Sequence, residues 1–274
     1  MNLYYNILFV VSIVLACIYA VIFRKRYSIY ITLIFILVPI TIRGYILQST
    51  AVNLGQAVTG VKLAYQGASF LLLFMMFTIF DLCNLNLSKR FKLFFFILSW
   101  LMYFPVLTVG SAPLFYKSVS LEFINGEPVI VREYGPFHTV FYIFLAVYLA
   151  ITIGAIVYAL KKKRDVSKKN LLILLFCEGA GVLFYLGQHI FSGKIDFSTL
   201  SYLLTEIILL IIITRISLYD ITETAIDTIS MNGGTGFVSF DNKFSYIASN
   251  KLAKQVFPAL QDLWVDSNAA KMKK

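Results

Sequence analysis

Charge, histidine and paired cysteine are all scarce in this chain, and each shortage removes a class of function. Only 14% of the residues are Asp, Glu, Lys or Arg, against 59% hydrophobic and 16% aromatic, and the mean hydropathy is +0.80. That balance excludes an ordinary water-soluble domain and describes an integral membrane protein. Two histidines, His138 and His189, build no His-rich metal motif, and no nucleophile stands beside a base, which weighs against an embedded enzyme. Cys17, Cys83 and Cys177 have no paired spacing, so a disulfide or a metal site built on them is not expected. They read as small apolar packing residues. No basic stretch precedes the first apolar run, and "RKR" at 24–26 follows it, so that run is a retained span rather than a signal peptide.

Long apolar runs are what the chain does have. A helix needs about 20 mostly apolar residues to cross roughly 30 Å of hydrocarbon, and seven stretches qualify, near 3–23, 28–48, 61–81, 92–110, 137–160, 170–191 and 198–217. Basic residues set their direction. Arg24, Lys25, Arg26, Lys89, Arg90, Lys92, Lys161, Lys162, Lys163, Arg164, Lys168 and Lys169 fall at the connections after spans one, three and five. The opposite connections hold only Lys62, Lys117, Arg132 and Lys194. The expected topology is N-terminus outside and C-terminus cytoplasmic, and the net charge of +10 is then mainly topological, with no nucleic-acid partner needed to explain it.

Between spans four and five, residues 111–136 alternate Val119, Leu121 and Phe123 with polar neighbours, then offer Asn125-Gly126 and a return strand from Val129 to Val131. This predicts an extracellular β-hairpin with a tight turn, serving either as a lid over a ligand site or as a packing cap over helix ends. After span seven, Leu218, Ile221, Ala225 and Ile229 recur at three- and four-residue intervals, an apolar seam suited to pairing a linker helix with its copy in a homodimer. "NGGTG" at 232–236 ends that helix.

The segment "GFVSFDNKFSYIASNKLAKQVF" resembles the start of a PAS domain: a first strand, a turn at Asn242-Lys243, a second strand, and a helix opening after Asn250. Upstream, "YGPFHTVFYIFLAVYLAITIGAIVYAL" with its basic loop and sixth span is similar to the seven-helix N-terminal sensory region of bacterial histidine kinases and diguanylate cyclases. With "LYDIT" the likeness extends to clostridial signalling proteins whose later domains carry GGDEF or EAL outputs. The resemblance implies a sensory domain over 1–217, a cytoplasmic signalling linker over 218–231, an incomplete PAS-like segment over 232–266 and a disordered tail over 267–274. Fewer than forty residues follow Gly236, too few for a PAS core, and no GGDEF, EAL, phosphorylation box or ATP-binding motif occurs. No enzymatic activity is therefore expected of the residues given, and a diguanylate cyclase or histidine kinase output would lie outside them. The implied location is the bacterial cell membrane, crossed many times.

Charges inside spans point to function, because an ionisable group at mid-bilayer costs at least ~2.5 kcal/mol. Glu178 and Glu206 lie near the middles of spans six and seven, and Glu178, Tyr185 and His189 share one helix face at 100° per residue. In one reading Arg43, Lys62, Tyr65, Gln66, Tyr185, Gln188, His189 and Glu206 line an outward-facing cavity for a small polar or amphipathic ligand, with Glu178 a further intramembrane polar group. In the other, Arg43 pairs with Glu206 and the aromatics belong to the interfacial belt, a reading stronger for Tyr45, Trp100 and Tyr103. Pro39 and Pro105 fall inside spans two and four and can kink them. The expected fold class is an all-α seven-transmembrane bundle with an extracellular β-hairpin and a truncated α/β, PAS-like C-terminal stub. The expected function is a sensory input module, with a small-molecule or ion transporter as the alternative, although no inverted repeat is found. Partners are the lipid bilayer, an unknown small ligand and a second copy of the chain; no cofactor is expected.

Overall fold

The structure is a computed structural model that describes residues 2–23, 27–164, 166–190, 196–230 and 235–268, with the side chains of 188–190 and 217–230 outside the description. Seven helices form the bundle: α1 Asn2–Ile22, α2 Ile29–Ser49, α3 Leu54–Leu82, α4 Lys89–Leu107, α5 Pro136–Lys162, α6 Lys168–Ile190 and α7 Ser198–Ser230. Each carries an apolar window long enough to cross a membrane, as expected. Two of them are central: 56% and 61% of the windows of α2 and α3 are buried, against 22–39% for the other five, whose apolar faces look outward. Both prolines sit within continuous helix, Pro39 buried in α2 and Pro105 in the last turn of α4.

One boundary differs from expectation. Helix α3 starts at Leu54, two turns before 61, because Asn53 caps it: Asn53 Oδ1 accepts from Gln56 N–H at 2.9 Å, and Gln56 Oε1 accepts from Val52 N–H at 3.1 Å. This reciprocal cap satisfies one free N–H of the first turn and that of Val52 just before the helix, where hydropathy is low. Lys62 is consequently a helix residue rather than a loop residue.

Small residues hold α2 against α3. A Cβ on Gly44 would lie 2.6 Å from Ala64 N, one on Gly60 2.7 Å from the Gly44 carbonyl oxygen, and one on Gly67 2.2 Å from Thr41 Oγ1. With no room for side chains, the backbones approach closely and gain dispersion contacts, the main attraction between helices that share lipid.

The hairpin forms as predicted, with β1 Tyr116–Ile124 paired antiparallel to β2 Glu127–Tyr134. Its turn uses positive φ at both central residues, +55° at Asn125 and +79° at Gly126, which suits the right-handed twist of the strands. At its base Gly135 N–H donates to Phe115 O at 2.8 Å, and a Cβ there would stand 2.5 Å from Leu114 O, so only glycine lets the strand turn directly into Pro136 and α5.

At the opposite end α7 runs unbroken to Ser230, so no irregularity separates the seventh span from the expected linker. The seam residues Leu218, Ile221, Ala225 and Ile229, residues 231–234 of the glycine stretch and the tail 269–274 lie outside the described side chains or residues. Beyond them, β3 Val238–Phe240 pairs antiparallel with β4 Tyr246–Ser249, followed by α8 Lys251–Val256. The connecting turn hangs on Asp241, whose Oδ1 accepts from Ser245 N–H at 2.7 Å and Lys243 N–H at 2.8 Å; those donors hold its carboxyl below the usual carboxylate range. Asn250 Oδ1 accepts from Ala253 N–H at 2.9 Å and from Phe237 N–H at 3.0 Å, so one side chain caps α8 and ties it to β3. The stub docks on the bundle through Asp266, which accepts from Ser167 Oγ and lies 3.4 Å from both Lys169 Nζ and an Arg215 guanidinium nitrogen. Trp264 stacks beneath Lys168, its ring centre 3.9 Å from Nζ.

Candidate functional site

A cavity of 690 Å³ opens between the helices beneath the hairpin, and six helices and β2 contribute to its wall; α4 does not. That size suits a small organic ligand. Its deep walls are aliphatic, from Ile34 and Val38 on α2, Leu71 and Met75 on α3 and Leu149 on α5. Leu149 lies thirteen residues along α5 from Pro136, so the cavity reaches about 20 Å below the hairpin at 1.5 Å per residue. Toward the hairpin the wall becomes phenolic, with Tyr5, Tyr45, Tyr65, Tyr142, Tyr185 and Tyr202.

The roof is built from the hairpin itself. Phe115 and Tyr116 are 0% and 2% exposed and plug the space against Tyr65, Phe141 and His138. From that anchor β2 extends over the cavity, lining it with Pro128, Val129, Ile130 and Arg132. Arg132 donates through Nη1 to Tyr116 Oη at 3.1 Å, and Tyr116 donates to Tyr65 Oη at 3.0 Å. The guanidinium also stands 5.6 Å and 5.8 Å from the ring centres of Tyr116 and Tyr134. Burial works against its charge, yet the oxygens of Tyr116, Tyr65 and Tyr134 outweigh it and hold Arg132 protonated beyond its ordinary range. Burial likewise pushes the Tyr116 phenol up, against the pull of Arg132, so the donor chain stays protonated.

Two carboxylates share the cavity. Asp196, just before α7, spends Oδ1 on Ser198 N–H at 2.9 Å, while its own N–H donates to Tyr5 Oη at 3.0 Å. Glu178 sits deeper on α6, 7% exposed, seven residues or about 10 Å along the helix from Tyr185. Beside it α6 is open: Gly181 lines the cavity, and a Cβ there would meet nothing within 4 Å. Among the described residues no group of three His, Cys, Asp or Glu side chains converges as a metal site would require.

Of the residues singled out from the sequence, Tyr65, Tyr185 and Glu178 line this cavity. Arg43 is exposed on the outer face of α2, and half-buried Lys62 and Gln66 stand about 60° and 100° around α3 from Tyr65; none of these three lines it. Glu206 is 0% exposed but faces Ser12 of α1 instead, and neither carboxylate oxygen completes a hydrogen bond among the described residues. The pairing of Arg43 with Glu206 is therefore not formed. The side chains of Gln188 and His189 lie outside the description.

Tyr45 departs from the interfacial-belt reading: it lines the cavity and stacks on Tyr5 with ring centres 5.6 Å apart. Tyr103 is buried and donates to Lys62 O at 3.1 Å, whereas Trp100 is exposed as a belt residue would be. Sequence reasoning missed Arg132, Asp196, Tyr142 and Tyr202. For Arg132 a signal existed, because its alternation with Ile130 on one face of a predicted strand set it apart from the loop cations.

No curated protein matches the chain. The family model described as the N-terminal 7TM region of histidine kinase matches residues 7–222, which takes in the length of the bundle from the second turn of α1 to beyond the apolar part of α7. With seven membrane-length helices and a match over most of its residues, the chain belongs to the family of N-terminal seven-transmembrane regions of histidine kinases.

Proposed function

We propose that the bundle is a sensory input module that binds a small ligand in the cavity beneath the hairpin and relays its presence through α7 to a cytoplasmic output domain. The observation that carries this reading is the cavity itself: a hairpin strand roofs it, phenols and unlike charges line it, and one of its walls is α7, the helix that continues unbroken out of the bundle. A ligand touching Ser201, Tyr202 or Thr205 has direct purchase on that helix. The β3–β4 pair followed by α8 supports reading 232–266 as the opening of a PAS-like relay, and the contacts of Asp266 with Ser167, Lys169 and Arg215 join it to the base of the bundle.

Gly181→Leu tests the reading. The new side chain enters open space in the cavity wall, and leucine is favoured over glycine in a helix by about 1 kcal/mol, so the unliganded protein is expected to be at least as stable as before. In a chimera bearing an active output domain, the variant should lose its response to ligand while keeping basal output. An unchanged response would rule out this cavity.

The basic asymmetry supports placing the hairpin outside the cell and the stub inside, since Lys161, Lys162, Lys163, Arg164, Lys168 and Lys169 cluster at the end where the stub lies. A cysteine at Asn125, at the exposed hairpin tip, should react with an impermeant thiol reagent in intact cells. Reaction only after permeabilisation would invert the topology.

A further inference from the structure

Arg132 and Glu178 are two ionisable groups of the cavity that stand within 4.0 Å of no oppositely charged side chain among the described residues. Arg132 is held by phenols, and among the described residues no carboxylate lies within 4.0 Å of it. Glu178 is more than nine-tenths buried, lines the cavity, and makes no hydrogen bond or ion pair among the described residues. Nor do the two pair with each other. Asp196 differs, because its carboxylate is already engaged by the first turn of α7. A charged group withdrawn from water without a partner is costly, and a molecule carrying the opposite charges at matching positions relieves both groups at once.

We propose that the cavity binds an elongated zwitterion, its oxyanion on Arg132 near the hairpin and its ammonium on Glu178, with an apolar body between; this rests on the cavity being the ligand site. Tyr142 fixes the spacing. Its ring lies 5.8 Å from that of Tyr185, in the phenolic zone beneath Arg132, and Glu178 is about 10 Å further along α6 from Tyr185. The ligand's two charges are therefore expected to lie about 10 Å apart or somewhat more. The phenols of Tyr142 and Tyr185 accept and donate along the way and offer ring faces to a passing cation. Between the ends the wall is aliphatic, with Leu72, Leu145 and Leu149, which favours a chain over a polar body. A monoanion would leave Glu178 unanswered, a monocation would leave Arg132 unanswered, and a polyanion would meet one cation against two carboxylates.

Four probes test this with the whole chain in phosphatidylcholine nanodiscs, by thermal melting and titration: 12-aminododecanoate, 6-aminohexanoate, dodecanoate and dodecylamine. The long zwitterion is expected to bind at least tenfold more tightly than either singly charged chain, and the short one, unable to span the two sites, at least tenfold more weakly than the long. Arg132→Gln should bring the long zwitterion down to the affinity of dodecylamine, and Glu178→Gln down to that of dodecanoate. The probe series on the unaltered chain carries the decision by itself should either variant fold poorly. Equal binding of singly and doubly charged chains, no dependence on chain length, or no binding by any probe would overturn the zwitterion. If all chains bind equally and Gly181→Leu abolishes them, the cavity reading stands without it; if Gly181→Leu leaves their binding unchanged, both readings fall.

Discussion

Gly60→Val is expected to be severely damaging to the bundle. The added Cβ would lie 2.7 Å from the Gly44 carbonyl oxygen and 2.9 Å from Gln48 N, both backbone atoms that cannot swing aside, so α2 and α3 must part. Overpacking usually costs about 1–3 kcal/mol where side chains can yield. Here the two most buried helices of the protein would separate along their whole seam, and a loss at or above the top of that range is expected. Melting in nanodiscs, together with the monodisperse fraction in detergent, reads the effect. Gly179→Ala is the control on α6: its Cβ would meet nothing within 4 Å, and exchanging glycine for alanine in a helix should raise stability by about 0.5–1 kcal/mol. Similar melting of both variants would mean that the seam contributes nothing beyond helix propensity.

Glu206→Leu should act in the opposite direction. Glu206 is fully enclosed, and neither its carboxylate oxygens nor Ser12 Oγ completes a hydrogen bond among the described residues. A buried polar group without partners costs about 1–3 kcal/mol by mutational measures, and leucine replaces it with apolar volume in a helix that already packs Leu209, Ile212 and Ile213. The expected result is a rise in stability of about that size. Because Arg43 is exposed on α2 and forms no pair with Glu206, Arg43→Gln should be close to neutral and the double variant additive within about 0.5 kcal/mol. A fall in melting temperature on Glu206→Leu would reveal a partner for the acid, and a coupling energy above that limit would identify Arg43 as that partner.

Seven spans and the hairpin with its Asn125-Gly126 turn were legible in the residues, because each depends on local physics: apolar length against bilayer thickness, and alternation against pleat. The common face of Glu178 and Tyr185 was legible too, since residues seven apart stay aligned on any α-helix. What hydropathy leaves open is the rotation of each helix about its own axis, because lipid and protein interior are almost equally apolar and a span reads the same whichever way it is turned. Tertiary packing settled that. The glycine seam turns α2 so that Tyr45 looks into the cavity and Arg43 away from it, and the Phe115–Tyr116 plug lays β2 down with Arg132 over the cavity. Tyr142, Asp196 and Tyr202 join the site for the same reason: their places depend on which neighbour each helix meets, and contacts between residues far apart in the chain leave no period in the sequence.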